Sequence, residues 1–386
     1  MIEERTAKRY LAWASEIKQS NLFFDAHAHP FELFYGIGQY RRHQQLSGVY
    51  STDPTPLEAP RVTDLLCSDD ARAKEIYRLF TRPGMAPRNL ARLYMHTGPG
   101  IFEMHMDMCG IDRTLLLPVA RPQDDINHQM CLMDAMFGGN ERFSFGWCVP
   151  ASVPDELILP AAEDALHRFR IRAVKLHPNL MEINLQSGPG KRRVETMLHA
   201  CGRLGLPMIV HGGRSRQLGV GSSSCYALVK HIKNIDWSVS ESPVVISHAG
   251  AYGCEPGEVE ETLQELQPML SNHANMLVDI SGLEVGTLAQ ALMRLDPERI
   301  IFGSDMLYES PWAAVVRLLL AIEKTTACPE ETFIRIASTN PQKYLFTNTI
   351  DNRKRGRSRF DRDLTGAETC KGSIGIASEG DLWNAP

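Results

Sequence analysis

Residues 22–29 read LFFDAHAH, an apolar start followed by Asp25, His27 and His29 at alternate positions, and Pro30 ends the run. In an extended strand, residues two apart share a face. The period therefore predicts Asp25, His27 and His29 pointing together, with Phe24, Ala26 and Ala28 turned toward packing helices. Seven more apolar or β-branched runs follow: RTLLLPVA (113–120), RFSFGWCV (142–149), IRAVKLHP (171–178), PMIVHGG (207–213), PVVISHAG (243–250), ANMLVDISG (274–282) and RIIFGSDM (299–306). Helix-period stretches separate them, among them KRRVETMLHACGRLG, EVEETLQELQPML and, after the last run, PWAAVVRLLLAIEK. Strand and helix in alternation predict a parallel sheet. Eight such units in about 300 residues fit an α/β fold of the (β/α)8 TIM-barrel type, whose reactive groups sit at the C-terminal strand ends. A doubly wound open sheet is the competing architecture, and eight units favour closure over it.

The chain has 386 residues and 43% hydrophobic content, enough for a sizeable core, and residues 1–350 are assigned to one barrel domain. Residues 30–110 are read as a long insertion after the first strand, with helical stretches near 61–80 and 101–109. An insertion there lies over the barrel mouth, making it a candidate lid or an interface, including one between copies in a homo-oligomer. Within it, FEMHMDMCG (102–110) reads as a packing helix rather than a soft-metal site. Residues 351–386, rich in Arg, Asp, Gly and Ser, are expected to form a disordered tail.

A net charge of −5 gives no footprint for nucleic acid. The basic stretch NRKRGRSRF (352–360) is flanked by Asp351, Asp361 and Asp363 and reads as a solvated tail. Nine cysteines without a CxxC pair indicate reduced thiols. The charged N-terminus lacks a signal-peptide pattern, and no apolar stretch reaches membrane-spanning length, so a cytoplasmic protein without a membrane partner is expected.

The ends of the runs carry the chemistry. The first ends in His27 and His29, the fourth in Lys175 and His177, the fifth in His211, the sixth in His248 and the eighth in Asp305. Gly303 leaves room beside them. Imidazoles and a carboxylate converging in a barrel mouth form a ligand set for Zn²⁺ or a similar divalent ion, and an open coordination position marks such a site as catalytic. The ion lowers the pKa of bound water toward about 7. Five convergent ionisable side chains argue against a catalytically silent binding barrel.

The segments DAHAH, VKLHPN, IVHGG, ISHAG and FGSDM, in this order, resemble the amidohydrolase superfamily. More narrowly, they are similar to its amidohydrolase-related family of TIM-barrel metal hydrolases and aminocarboxymuconate-semialdehyde-type decarboxylases. The resemblance implies that His27, His29, His211 and Asp305 hold a divalent metal, zinc first among the candidates. It makes His248 the neighbouring histidine that polarises substrate or moves protons, and Asp305 the acceptor of the water's proton. Lys175 stands where binuclear members such as dihydroorotase carry a carboxylated, metal-bridging lysine. One ion is expected, or two if Lys175 is carboxylated; otherwise Lys175 reaches substrate.

Because Lys175 departs from the polar strand ending associated with the decarboxylases, the resemblance implies hydrolysis of a C–N or C–O bond in a small amide, lactam, lactone or ester. Non-oxidative decarboxylation of an aromatic or unsaturated carboxylic acid is the alternative. His177 is a candidate substrate contact or a histidine hydrogen-bonded under the Pro178 turn. Arg214 and Arg216 match a substrate carboxylate in geometry, or lie in a solvated loop. GVGSSSC (219–225) lacks phosphate-loop spacing and reads as a mobile loop near the mouth. No motif names the substrate.

Overall fold

The computed structural model describes residues 4–18, 21–30, 99–215, 222–306 and 311–346. Most of the insertion expected over 30–110, Arg216, and the whole tail expected at 351–386 lie outside the described residues. Seven of the eight runs contain a strand and the second overlaps one that starts two residues earlier: β1 (Phe23–Ala28), β2 (Ile111–Leu116), β3 (Phe143–Trp147), β4 (Ala173–Leu176), β5 (Met208–Val210), β6 (Val244–Ile246), β7 (Met276–Asp279) and β8 (Ile300–Ile301). All neighbours pair in parallel, in chain order. Ala26 N donates to Phe302 O at 3.0 Å, Asp305 N to His27 O at 2.7 Å and His29 N to Met306 O at 2.6 Å, joining the last run to the first. The open sheet is thereby excluded. β2 stops before the expected end of its run because Pro118 has no N–H to continue the ladder.

Helices fill the connections: α1 (Glu4–Lys18), α2 (Pro99–Cys109), α3 (Ile126–Phe137), α4 (Ile158–Phe169), α5 (Gly188–Leu204), α6 (Val229–Ile232), α7 (Pro256–Asn272), α8 (Val285–Arg294) and α9 (Pro311–Thr325). Local chemistry sets their ends. Ser187 caps α5 by accepting from Gly190 N at 3.1 Å, Pro189 sits in the first turn, and Gly205 ends it in the left-handed conformation at φ 64°. The methionine-rich α2 buries Phe102, Met106 and Cys109 in the core, as its periodicity requires.

Two apolar layers result. Between sheet and helices, Phe23, Val174, Val210, Val244 and Ile300 pack with helical side chains such as Leu198, Leu263 and Leu319. Inside the barrel, Phe24, Ala26, Leu115, Ala173, Ile209, Val245, Leu277 and Ile301 pack together with Leu345 and Phe346, which follow the last described helical turns. The Phe24 and Phe346 rings lie 4.7 Å apart. Each fully buried aliphatic side chain of this size contributes about 1.5–3 kcal/mol.

One sequence expectation is corrected here. Phe24 and Ala26 face the barrel interior, not the helices, and Asp25 is not on the face of the histidines. Its carboxylate accepts from Ser304 Oγ at 2.5 Å, Ser304 N at 2.9 Å and His27 N at 3.1 Å. The physical reason is a register shift between Asp25 and Ala28, which interrupts strict alternation and turns His27 inward directly after Ala26. Asp25 therefore ties the backbone of β1 to the segment after β8.

Candidate metal centre

Parity on the other strands delivers polar side chains two residues beyond the inner apolar layer. Ala173 is followed by Lys175, Ile209 by His211, Val245 by Ser247, Leu277 by Asp279, and Ile301 by Gly303 and then Asp305. All the side chains of this layer are buried. A Cβ at Gly303 would lie 2.7 Å from His27 Cβ, so only glycine allows that approach.

The hydrogen bonds fix the ring tautomers. Leu117 O accepts from His29 Nδ1 at 2.8 Å and Ser281 O from His248 Nδ1 at 2.8 Å; a carbonyl only accepts, so both Nδ1 atoms carry the proton. Asp279 Oδ2, 2.9 Å from His27 Nδ1, does the same for His27. The Nε2 atoms of these rings are then lone pairs, and they converge. His27 Nε2 lies 3.0 Å from His29 Nε2, and Asp305 Oδ1 lies 3.3 Å from His29 Nε2 and 3.8 Å from His27 Nε2. The ligand atoms of His27, His248 and Asp305 all lie within 4.8 Å of one another. His211 Nδ1 meets His248 Nε2 at 3.2 Å, while the buried His211 Nε2 has no hydrogen-bond partner among the described residues. Lone pairs packed this way repel one another unless a proton or cation lies among them, and the donor set fits a divalent ion.

Electrostatics agree with ligation. Burial, reinforced by the nearby Lys175 ammonium, pushes His27 down to about 4 and His29 to about 3; burial takes His248 to about 4. The rings are neutral at pH 7, the form that binds metal. Burial would raise Asp279, but the attraction of His27 and hydrogen bonds from His27 and His248 N hold it well below the usual carboxylate range. Burial raises Asp305. Lys175 falls to about 8 by burial, and its Nζ lies 3.2 Å from His27 Nε2 and 3.4 Å from Ser247 Oγ. Three non-glycine residues at the mouth adopt left-handed backbone: Asp305 (φ 61°), His248 (φ 58°) and Ala249 (φ 47°). Such conformations cost about 1–3 kcal/mol each and concentrate at functional sites.

The remaining candidates lie as follows. His177 stacks on His211 with ring centroids 3.8 Å apart and planes 9° apart, while its Nδ1 accepts from Leu180 N at 3.3 Å. The Arg214 guanidinium pairs with Glu258 and reaches Cys225 Sγ at 3.1 Å. Of the loop expected at 219–225, the described part, Ser222–Cys225, is a short 3-10 turn. Asp279 and Ser281 were not singled out from sequence. Ser281 Oγ donates to Asp279 Oδ1 at 2.5 Å and lies 3.1 Å from His27 Nδ1 and 2.9 Å from His248 Nδ1. The signal was present: an acid and a serine at alternate positions closing an apolar run, VDISG.

An amidohydrolase family model matches residues 24–347. No curated protein sequence shows a significant match. Among solved structures, 5-carboxyvanillate decarboxylase from Sphingomonas paucimobilis is similar over 85% of this chain and 99% of its own, at 15% identity and a TM-score of 0.52. A 2,6-dihydroxybenzoate decarboxylase complexed with 2,6-dihydroxybenzoate is similar over 84% and 99%, at 12% identity and a TM-score of 0.51. A probable 2-pyrone-4,6-dicarboxylic acid hydrolase from Acinetobacter baumannii covers 83% of this chain and 98% of its own, at 14% identity and a TM-score of 0.49. At these identities the likeness is one of fold.

Proposed function

Because the chain belongs to the amidohydrolase family, we propose that it is a metal-dependent enzyme that hydrolyses a C–N or C–O bond of a small amide, lactam, lactone or ester. The observation that carries this reading is the meeting of His27 Nε2, His29 Nε2 and Asp305 Oδ1 in a buried barrel mouth, with each imidazole fixed from behind. His27, His29, His211 and Asp305 would hold the ion, with His248 beside them and zinc favoured by the histidine-rich set. A divalent cation bound there supplies Lewis acidity toward a carbonyl and lowers the pKa of water.

The chain's own residues supply the rest. Asp305 takes the proton of the attacking water and passes it to the leaving group. His248, locked by Ser281 and Asp279 with its proton on Nδ1, presents the Nε2 lone pair to the centre as a proton acceptor. Burial of the whole layer keeps bulk water away.

A second reading, non-oxidative decarboxylation of an aromatic or unsaturated carboxylic acid, uses the same buried centre, with the Lys175 amine beside His27 then facing the substrate carboxylate. In that reaction Asp305 or His248 delivers the proton to carbon. The two are separated by assaying zinc-loaded protein on panels of lactones, lactams, esters and amides, and on aromatic and unsaturated carboxylic acids with CO₂ release as the readout. Hydrolysis without CO₂ release supports the first reading; CO₂ release alone overturns it.

A further inference from the structure

Tyr252 follows the metal-centre histidine His248 by four residues, and the backbone between them is unusual. His248, Ala249 and Gly250 are successive left-handed residues, at φ 58°, 47° and 71°. This turn doubles the chain back. It brings the Tyr252 ring over His248, with centroids 4.7 Å apart and planes at 40°, and edge-on to His211 at 5.5 Å and 70°.

The surroundings are shaped to admit it. Arg214 N donates to Tyr252 O at 2.7 Å, so the strand carrying His211 and the turn carrying His248 are tied together at this residue. Gly213, at φ 114°, runs so close that a Cβ would lie 2.4 Å from Tyr252 O and 2.6 Å from Tyr252 N. Gly282, at φ 59°, leaves the space between the ring and the metal-centre carboxylate: a Cβ there would lie 3.4 Å from Tyr252 Cε2 and 2.8 Å from Asp305 Oδ2. Glycine adopts these conformations without steric strain, whereas His248 and Ala249 hold left-handed backbone against their side chains, and such strain concentrates at functional sites.

We propose that Tyr252 is a positioning residue of the metal centre, whose ring packs against the His248 and His211 imidazoles and keeps His248 Nε2 and His211 Nδ1 3.2 Å apart, so that the two rings hold their places in the ligand cluster. The inference rests on the metal-dependent reading above. His248 is held at Nδ1 by the Ser281 carbonyl and hydroxyl and meets His211 at Nε2, and these in-plane contacts leave rotation about the axis joining them unrestrained. An aromatic ring packed on it restricts that rotation, and His211 both stacks on His177 and meets Tyr252 edge to face. Outer residues that fix the ring orientation of ligating histidines commonly change metal affinity by about 10–100-fold.

The test is a titration with Co²⁺, read by visible absorption, of wild type, Tyr252→Phe, Tyr252→Leu and Tyr252→Ala, with the melting temperature of each metal-free protein measured alongside. Wild type and Tyr252→Phe should share one dissociation constant and one spectrum. Tyr252→Leu, which fills the space without a flat face, should bind Co²⁺ at least about tenfold more weakly with an altered spectrum and a melting temperature close to wild type. Tyr252→Ala should bind no better than Tyr252→Leu. Wild-type affinity and spectrum in Tyr252→Leu would overturn the positioning role while leaving the metal centre standing. Failure of wild type itself to bind Co²⁺ would remove both the metal reading and this inference.

Discussion

The barrel interior has two storeys made by the same strands, and they obey opposite rules. Toward the start of the strands, Phe24, Ala26, Leu115, Ala173, Ile209, Val245, Leu277 and Ile301 form an apolar layer closed by Leu345 and Phe346. Two residues further along lie Lys175, His211, Ser247 and Asp279, and four residues beyond Ile301 lies Asp305, with His27 brought in by the shift in β1. Both storeys are buried to a similar degree. The lower layer gains from burial, while the upper one depresses histidine pKa values, raises Asp305 and faces lone pairs toward one another. Equal burial with opposite polarity separates a layer that stabilises the fold from one that is arranged for a ligand at the fold's expense.

The widest contrast comes from substituting one storey at a time. His29→Ala should reduce bound metal to near zero while the metal-free protein still folds and unfolds cooperatively, because the lower apolar storey is untouched. Elemental analysis with calorimetry checks both halves, and a collapse of the metal-free fold would show that the upper storey also carries stability. In the lower storey, Leu277→Ala should cost about 2–5 kcal/mol in chemical denaturation with metal content per folded chain unchanged. Metal loss in that variant would mean the two layers are coupled.

Smaller effects sharpen the boundary. Asp279→Asn keeps the shape but weakens the brace behind His27 and the hold on His248 N, so Co²⁺ affinity should fall by about 10–100-fold with turnover falling alongside. Unchanged affinity would show that His27 needs no such brace. Arg214→Gln removes a half-exposed pair with Glu258 and should cost at most about 1 kcal/mol, without changing KM. A tenfold rise in KM would return Arg214 to the substrate site.

The barrel was legible because each strand kept its apolar run and each helix its period, including the methionines of α2. The convergence of His27, His29, His211, His248 and Asp305 was legible too, since strand ends in a closed barrel must meet. The face of Asp25 was not: alternation is a rule for regular strands, and a one-residue shift in β1 reverses it without a mark in the residue types. Tyr252 escaped for a related reason. Its approach to His248 depends on successive left-handed residues, two of them non-glycine, and nothing in the string SHAGAY announces that backbone. The Arg214 and Glu258 pair joins residues 44 apart in sequence, beyond the reach of any local pattern.

The central claim is that the facing nitrogens of the upper storey are a divalent metal site. Protein purified without chelator, then stripped and titrated with Zn²⁺, should bind about one equivalent per chain, or about two if Lys175 is carboxylated, with an accompanying rise in melting temperature. Less than about 0.2 equivalents as purified, with no uptake and no thermal shift on adding zinc, manganese or ferrous ion, would contradict it.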